Sequence, residues 1–156
     1  MWPEPVERVA RELRAAAAEA TIQEFPDGTP TAEAAAKAIG CSLDQIVKSI
    51  VFVAGRSYVV ALVPGDRRAD AASVAEAADV PEVRVATAQE VVDATGCEPG
   101  AVSPFPLPRV HEVLMERTLL QHAKVWFGAG TPAHMAALAP GELQRIADAK
   151  TADLVG

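Results

Sequence analysis

Between Gly96 and Pro108 the chain runs Gly-Cys-Glu-Pro-Gly-Ala-Val-Ser-Pro-Phe-Pro-Leu-Pro, which places two glycines and four prolines in one loop. Glycine lets a ligand approach the main chain closely, and proline fixes the path of the chain. The N–H groups between them can be aimed at an oxygen, so the chemistry open to such a loop is the gripping of a carbonyl or an oxyanion by backbone donors. A surface crossover rich in turn residues has the same composition, and the loop by itself is compatible with both readings.

Lys48 is the second position with chemical potential, because it interrupts the apolar run Ile46-Val47-Lys48-Ser49-Ile50-Val51-Phe52. Strand alternation puts it on one face with Ile50 and Phe52. At an expected helix-to-strand junction it is either a solvated charge on the last helical turn or an ammonium presented to an anionic ligand. The turn Asp66-Arg67-Arg68 is the best local basic patch. There, Asp66 capping the next helix competes with a phosphate clamp as the explanation. His111, His122 and His134 have no metal-ligand spacing, and no Gly-x-Ser-x-Gly elbow occurs. Cys97 lacks a flanking base and reads as a small half-buried hydrophobe. The reading therefore calls for no metal and no cofactor.

The elements that must position these residues follow from periodicity. Pro3 to Ala20 carries Val6, Val9, Ala10 and Leu13 at helical spacing. Thr21 to Phe25 alternates as a short strand, and Thr31 caps a helix that stops at Gly40. Ser42 with Gln45 forms a capping-box pattern for a short helix from Leu43 to Val47. Ile50 to Ala54 and Tyr58 to Val63 read as a buried central hairpin around Gly55-Arg56-Ser57. Helices are expected at Ala69 to Ala78, Thr87 to Ala94 and after Pro140. Strands are expected at Val83 to Ala86, Val110 to Met115, Lys124 to Phe127 and Ala133 to Leu138, with an edge strand at Thr151 to Val155. This mixed order indicates an α+β fold with a mixed sheet.

Composition narrows the function classes. A chain of 156 residues is sized for one domain, residues 1–156. Only 4% of residues are aromatic and the net charge is −7, which argues against a base-stacking platform and a broad basic surface for duplex DNA. Contact with RNA is expected to be local. No apolar run approaches the length of a membrane span, and Cys41 and Cys97 show no paired spacing, so a cytoplasmic protein with free thiols is expected.

Four segments in order carry a family resemblance: Ile46 to Phe52, Pro64-Gly65-Asp66-Arg67-Arg68, Thr95 through Pro104, and Phe127-Gly128-Ala129-Gly130 ahead of a final helix. From Thr21 to its end the chain resembles the YbaK/ProX family of free-standing aminoacyl-tRNA deacylases, which share the fold of the editing insertion of bacterial prolyl-tRNA synthetase. The resemblance implies a mixed, strongly curved sheet flanked by helices. It also implies a trans-editing hydrolase that cleaves the ester of a mischarged tRNA, with tRNA for proline carrying Ala or Cys as the expected substrate. A non-catalytic aminoacyl-tRNA or synthetase-binding module of the same fold is the alternative. Lys48 matches the family lysine, and Gly100 to Pro104 matches its Gly-x-x-x-Pro loop, so Lys48, Gly100, Ala101, Val102 and Ser103 are the implied catalytic set. Ser49, Pro104, Phe105, Gly128, Gly130 and His134 are the implied substrate-binding set. The implied partners are the tRNA acceptor end and, for delivery, prolyl-tRNA synthetase or an elongation factor. Two departures bear on substrate choice: Gly128 stands where a cysteine-editing relative carries Ser, and Met135 where it carries an acid.

Overall fold

The computed structural model describes residues 2–156 and is built on a sheet of eight strands in the order β1-β7-β6-β2-β3-β5-β8, with β4 paired to β2 outside that path. The strands are β1 Thr21–Glu24, β2 Ile46–Ala54, β3 Ser57–Pro64, β4 Arg84–Val85, β5 Glu112–Glu116, β6 Val125–Gly128, β7 His134–Leu138 and β8 Lys150–Ala152. The helices are α1 Glu4–Ala15, α2 Ala32–Ile39, α3 Ala71–Ala78, α4 Ala88–Thr95 and α5 Pro140–Ala147.

The β2–β3 hairpin is the centre of the sheet, as its β-branched runs require. It pairs without a break from Val47↔Pro64 to Ala54↔Ser57 and turns through Gly55 at φ 61°. Parallel partners flank it, β6 beside β2 and β5 beside β3, while β1–β7, β6–β7 and β2–β4 are antiparallel. The sheet is therefore mixed.

Alternation along each strand divides the core into two layers. Val47, Val51, Val60, Leu62, Phe127, Ala136 and Leu138 face one side, where they pack with Val9 and Leu13 of α1, Val91 and Ala94 of α4 and Leu143 of α5. Phe52, Ala61 and Val63 face the other side against Val74 of α3, and Ile46, Trp126, Met135 and Ala137 pack there against Ala35 and Ala36 of α2. No helix among the described residues is long and apolar enough to cross a membrane.

Three expectations are corrected. First, α1 stops at Ala15, where the chain reverses through Ala17 at φ 53° and the Ala18 N–H reaches back to the Leu13 carbonyl at 3.1 Å. Second, the segment after Ser42 is only a 3-10 turn, Leu43–Gln45. Ile46 and Val47 already pair with Trp126 and Phe127, and this tertiary pairing overrides local helix formation, so Lys48 lies inside β2 and not at a helix end. Third, Asp70 and not Asp66 caps α3, accepting the Ser73 N–H at 3.1 Å.

Candidate functional site

The strand β2 has different neighbours along its outer edge. Beside β6 the pairing ends at Val47↔Phe127, and beside β4 it starts at Phe52↔Val85. Between these two registers the sheet has a gap. A cavity of about 250 Å³ occupies it, lined by Lys48 and Ser49 of β2, Gly100 and Val102 of the glycine/proline loop, Gly128 ending β6 and His134 opening β7. Met135 and the start of α2, Thr31 to Ala32 with Ala35, complete the wall.

Hydrogen-bond parity along β2 determines what the strand presents to the gap. The N–H and C=O of one residue in a strand point to the same side, and successive residues alternate. The Ile46 carbonyl accepts the Gly65 N–H at 2.7 Å on the β3 side, whereas the Val51 carbonyl accepts the Ala86 N–H at 2.9 Å on the β4 side. Even-numbered residues of β2 thus pair with β3, and odd-numbered ones face the outer edge. Val47 is covered by β6 and Val51 by the chain entering from β4. Ser49 alone of these has neither neighbour, and its side-chain Oγ is also buried with no hydrogen-bond partner.

Lys48 points to the opposite face, in line with the strand alternation expected for it. Its Nζ donates to the Arg67 carbonyl at 2.7 Å. Burial is the first influence on this ammonium and lowers its pKa from the ordinary lysine value; Glu33 acts against that shift, Arg68 adds to it, and Asp66 opposes it. The turn that supplies the Arg67 carbonyl depends on Gly65, because a Cβ there would meet the Leu43 carbonyl oxygen at 2.7 Å. The 3-10 turn, the Gly65 turn and Lys48 therefore form one packed unit.

The glycine/proline loop divides into a part that reaches the cavity and a part that anchors it. Gly100 adopts φ +85°, a conformation that favours glycine. The Ala101 N–H is committed to the Glu98 carbonyl at 3.0 Å, so Ala101 is not free to serve as an oxyanion donor. Gly100, Val102 and Ser103 N–H groups have no acceptor among the described residues. Ser103 is buried and its hydroxyl donates to the Phe105 carbonyl at 2.6 Å, so that side chain holds the loop's shape. Phe105 is core, edge-on to Phe127 with centroids 5.6 Å apart. Ser103, Pro104 and Phe105 line other recesses, away from the gap in the sheet.

The glycines after β6 also separate. Gly128 lines the cavity, and a Cβ on it would stand 3.5 Å from the Val102 carbonyl oxygen, an ordinary contact. Gly130 does not line it. At φ +100° it lies against Pro5, whose backbone and side chain would be 2.9 Å from any Cβ, so it serves the docking of α1. His134 is buried, with Nδ1 and the Thr131 hydroxyl 2.5 Å apart, Nε2 3.6 Å from Glu24 and the Trp2 ring edge-on at 5.6 Å. Thr131 Oγ1 also accepts the Ala133 N–H at 3.2 Å, which ties the turn to the imidazole.

The structure thus brings Lys48, Ser49, Gly100, Val102, Gly128 and His134 to one cavity, and leaves Ala101, Ser103, Pro104, Phe105 and Gly130 as its support. Thr29 to Ala32 and Thr131, which also line it, were not among the candidate residues; a helix cap and a turn carry no chemical signal in sequence that distinguishes a cavity wall from an ordinary surface.

Residues 26–146 match the family model described as the aminoacyl-tRNA editing domain. The proline–tRNA ligase of Xanthomonas axonopodis pv. citri is 31% identical over 116 residues, covering 74% of this chain and 21% of that enzyme. The chain thus spans about a fifth of the length of the ligases it matches. The uncharacterized protein YwhH of Bacillus subtilis is 31% identical over 130 residues, covering 83% of this chain and 82% of that protein. A crystal structure described as a candidate trans-editing enzyme for prolyl tRNA synthetase superimposes with a TM-score of 0.91 at 32% identity, covering 100% of this chain and 99% of that one.

Proposed function

We propose that this chain, which belongs to the aminoacyl-tRNA editing domain family, is a trans-editing deacylase that hydrolyses the ester of a mischarged tRNA. The observation that carries the reading is the convergence of Lys48 with Gly100 and Val102 of the glycine/proline loop on one cavity at the gap between β6 and β4. In the reaction, a water oxygen adds to the ester carbonyl, the carbonyl oxygen takes up negative charge, and collapse expels the ribose oxygen, which gains a proton. Free amino acid and uncharged tRNA leave. An activated ester needs no protein nucleophile when water is positioned and the oxyanion is met by preorganised donors. The unengaged N–H groups of Gly100 and Val102 suit the oxyanion, and the Lys48 ammonium suits either the terminal adenosine's phosphate or the developing charge.

The wall beside Ala32, Ala35, Ile46 and Met135 is apolar, which suits a small uncharged side chain such as alanine. On this reading tRNA for proline is the substrate, prolyl-tRNA synthetase or an elongation factor delivers it, and the protein works in the cytoplasm. Met135 at a position where a relative carries an acid favours a second reading, a module that binds the aminoacyl end without hydrolysing it.

The test is incubation with tRNA for proline charged in turn with Ala, Cys, Ser and Pro, alongside Lys48→Ala. Selective loss of a mischarged ester that disappears with Lys48 is the expected result. Retention of every ester would set the hydrolase aside.

A further inference from the structure

Ser49 is the position in the cavity with the most unanswered hydrogen-bonding capacity. Its N–H and C=O face the gap, where neither β6 nor β4 reaches it, and its Oγ is buried without a partner. The main-chain edge at Ser49 is left open at the wall of the cavity, and backbone donors and acceptors in folded proteins are as a rule paired, so this stretch of strand marks a place to be completed by something else. Elsewhere the same edge is completed by strands.

We infer that the aminoacyl group of the substrate completes the sheet at Ser49, pairing with it as a one-residue strand. In an antiparallel hydrogen-bonded pair, two residues opposite each other exchange both N–H···O=C bonds. An aminoacyl ester has an amino group and a carbonyl separated by one carbon, the spacing of a residue's own N–H and C=O. Its ammonium donates to the Ser49 carbonyl, and its ester carbonyl accepts the Ser49 N–H. The Ser49 hydroxyl is buried in the free protein, and a turn about χ1 brings it to a second ammonium proton. This pairing fixes the ester carbonyl along the edge of β2, in the cavity that Gly100 and Val102 also line. The substrate class that follows is the ester of an α-amino acid with a free amine. Acyl groups without that amine lose the donor that the Ser49 carbonyl requires, whatever their side chain.

This inference rests on the deacylase reading for its ligand, but binding tests it separately from turnover. The probes are 3′-(L-alanylamino)-3′-deoxyadenosine, an amide that resists hydrolysis, and its 3′-propionylamino counterpart, which is smaller and lacks only the amine. Each is titrated into 15N-labelled protein and into Ser49→Ala, and the backbone amide signal of that position is followed in both proteins together with the overall affinity. The expected result is a saturable shift of that amide by the alanyl compound and at least tenfold weaker binding of the propionyl compound. Ser49→Ala should lose roughly threefold to tenfold in affinity, because it removes the hydroxyl but keeps the backbone pair. Equal affinity of the two compounds, or no binding of either, overturns the inference. Amine-dependent binding together with stable aminoacyl esters upholds it and overturns the hydrolase reading instead.

Discussion

Lys48 Nζ is held by the main-chain carbonyl of Arg67 at 2.7 Å and not by a carboxylate. A carbonyl fixes the direction of the ammonium without neutralising it, so the cavity keeps a positive charge.

Lys48→Ala should therefore reduce deacylation at least a hundredfold. Stability should change by less than about 1 kcal/mol, because the side chain contributes one hydrogen bond and little apolar packing. Lys48→Arg should not restore the rate, since a planar guanidinium cannot take the position of a compact ammonium. Arg67→Ala should leave activity near that of the parent, because the carbonyl that holds Lys48 remains. Single-turnover deacylation and chemical denaturation of the four proteins measure both effects, and an active Lys48→Ala protein would remove the lysine from the mechanism.

Gly128 and Gly130 are two residues apart and should respond in opposite ways. Gly130→Ala meets Pro5 at 2.9 Å in a left-handed conformation and should destabilise the protein by about 2 kcal/mol or more, with α1 loosened. Gly128→Ser has ordinary room beside Val102, so it should fold normally and change which amino acid is removed. Thermal melts and the panel of charged tRNAs separate the two outcomes.

Ser103→Ala removes the hydroxyl that donates to the buried Phe105 carbonyl at 2.6 Å. A loss of about 1–3 kcal/mol in stability is expected, with a smaller fall in deacylation than for Lys48→Ala, because Ser103 shapes the loop from behind. Ser103→Thr should recover most of both. A rate loss equal to that of Lys48→Ala, with stability intact, would give the hydroxyl a direct role.

Glu116 ties the chain after β8 to β5, accepting the Leu154 N–H at 2.8 Å and the Thr118 N–H at 2.8 Å. Burial pushes its pKa up, but the amides of Leu154, Thr118 and Val155 outweigh that, and the net shift is below the ordinary value of 4.5. Folding thus favours the charged form. The stability it contributes is present above the unfolded carboxylate's pKa and is lost as pH falls through the lower folded value. Glu116→Gln should reduce stability at neutral pH by about 1–3 kcal/mol and flatten its dependence on pH below about 5. Denaturation of parent and variant at pH 7, 5 and 3.5 checks this, and parallel curves would exclude Glu116 from the acid response.

The local order of the chain was legible from residue types alone. The Thr31 cap, the glycines that end α2 and α4 in left-handed conformations, and the β-branched runs of β2 and β3 are short-range effects, which neighbouring residues decide. The importance of Lys48 and of the Gly100 loop was legible for a similar reason: a charge in an apolar run and a cluster of glycine and proline are local anomalies. What only the tertiary structure decided is which of these residues meet. Ile46 and Val47 become strand because the chain after β3 and β6, both distant in sequence, pair with them on either side, and Ser49 becomes an open edge because β6 then departs before β4 arrives. Ser103, Phe105 and Gly130 carry the same loop-like signature as Gly100 and Gly128, yet they face the anchor side, since the direction of a loop residue depends on the long-range packing of α1 and Phe127. A gap in a sheet is a relation among three strands, and no single segment of sequence contains it.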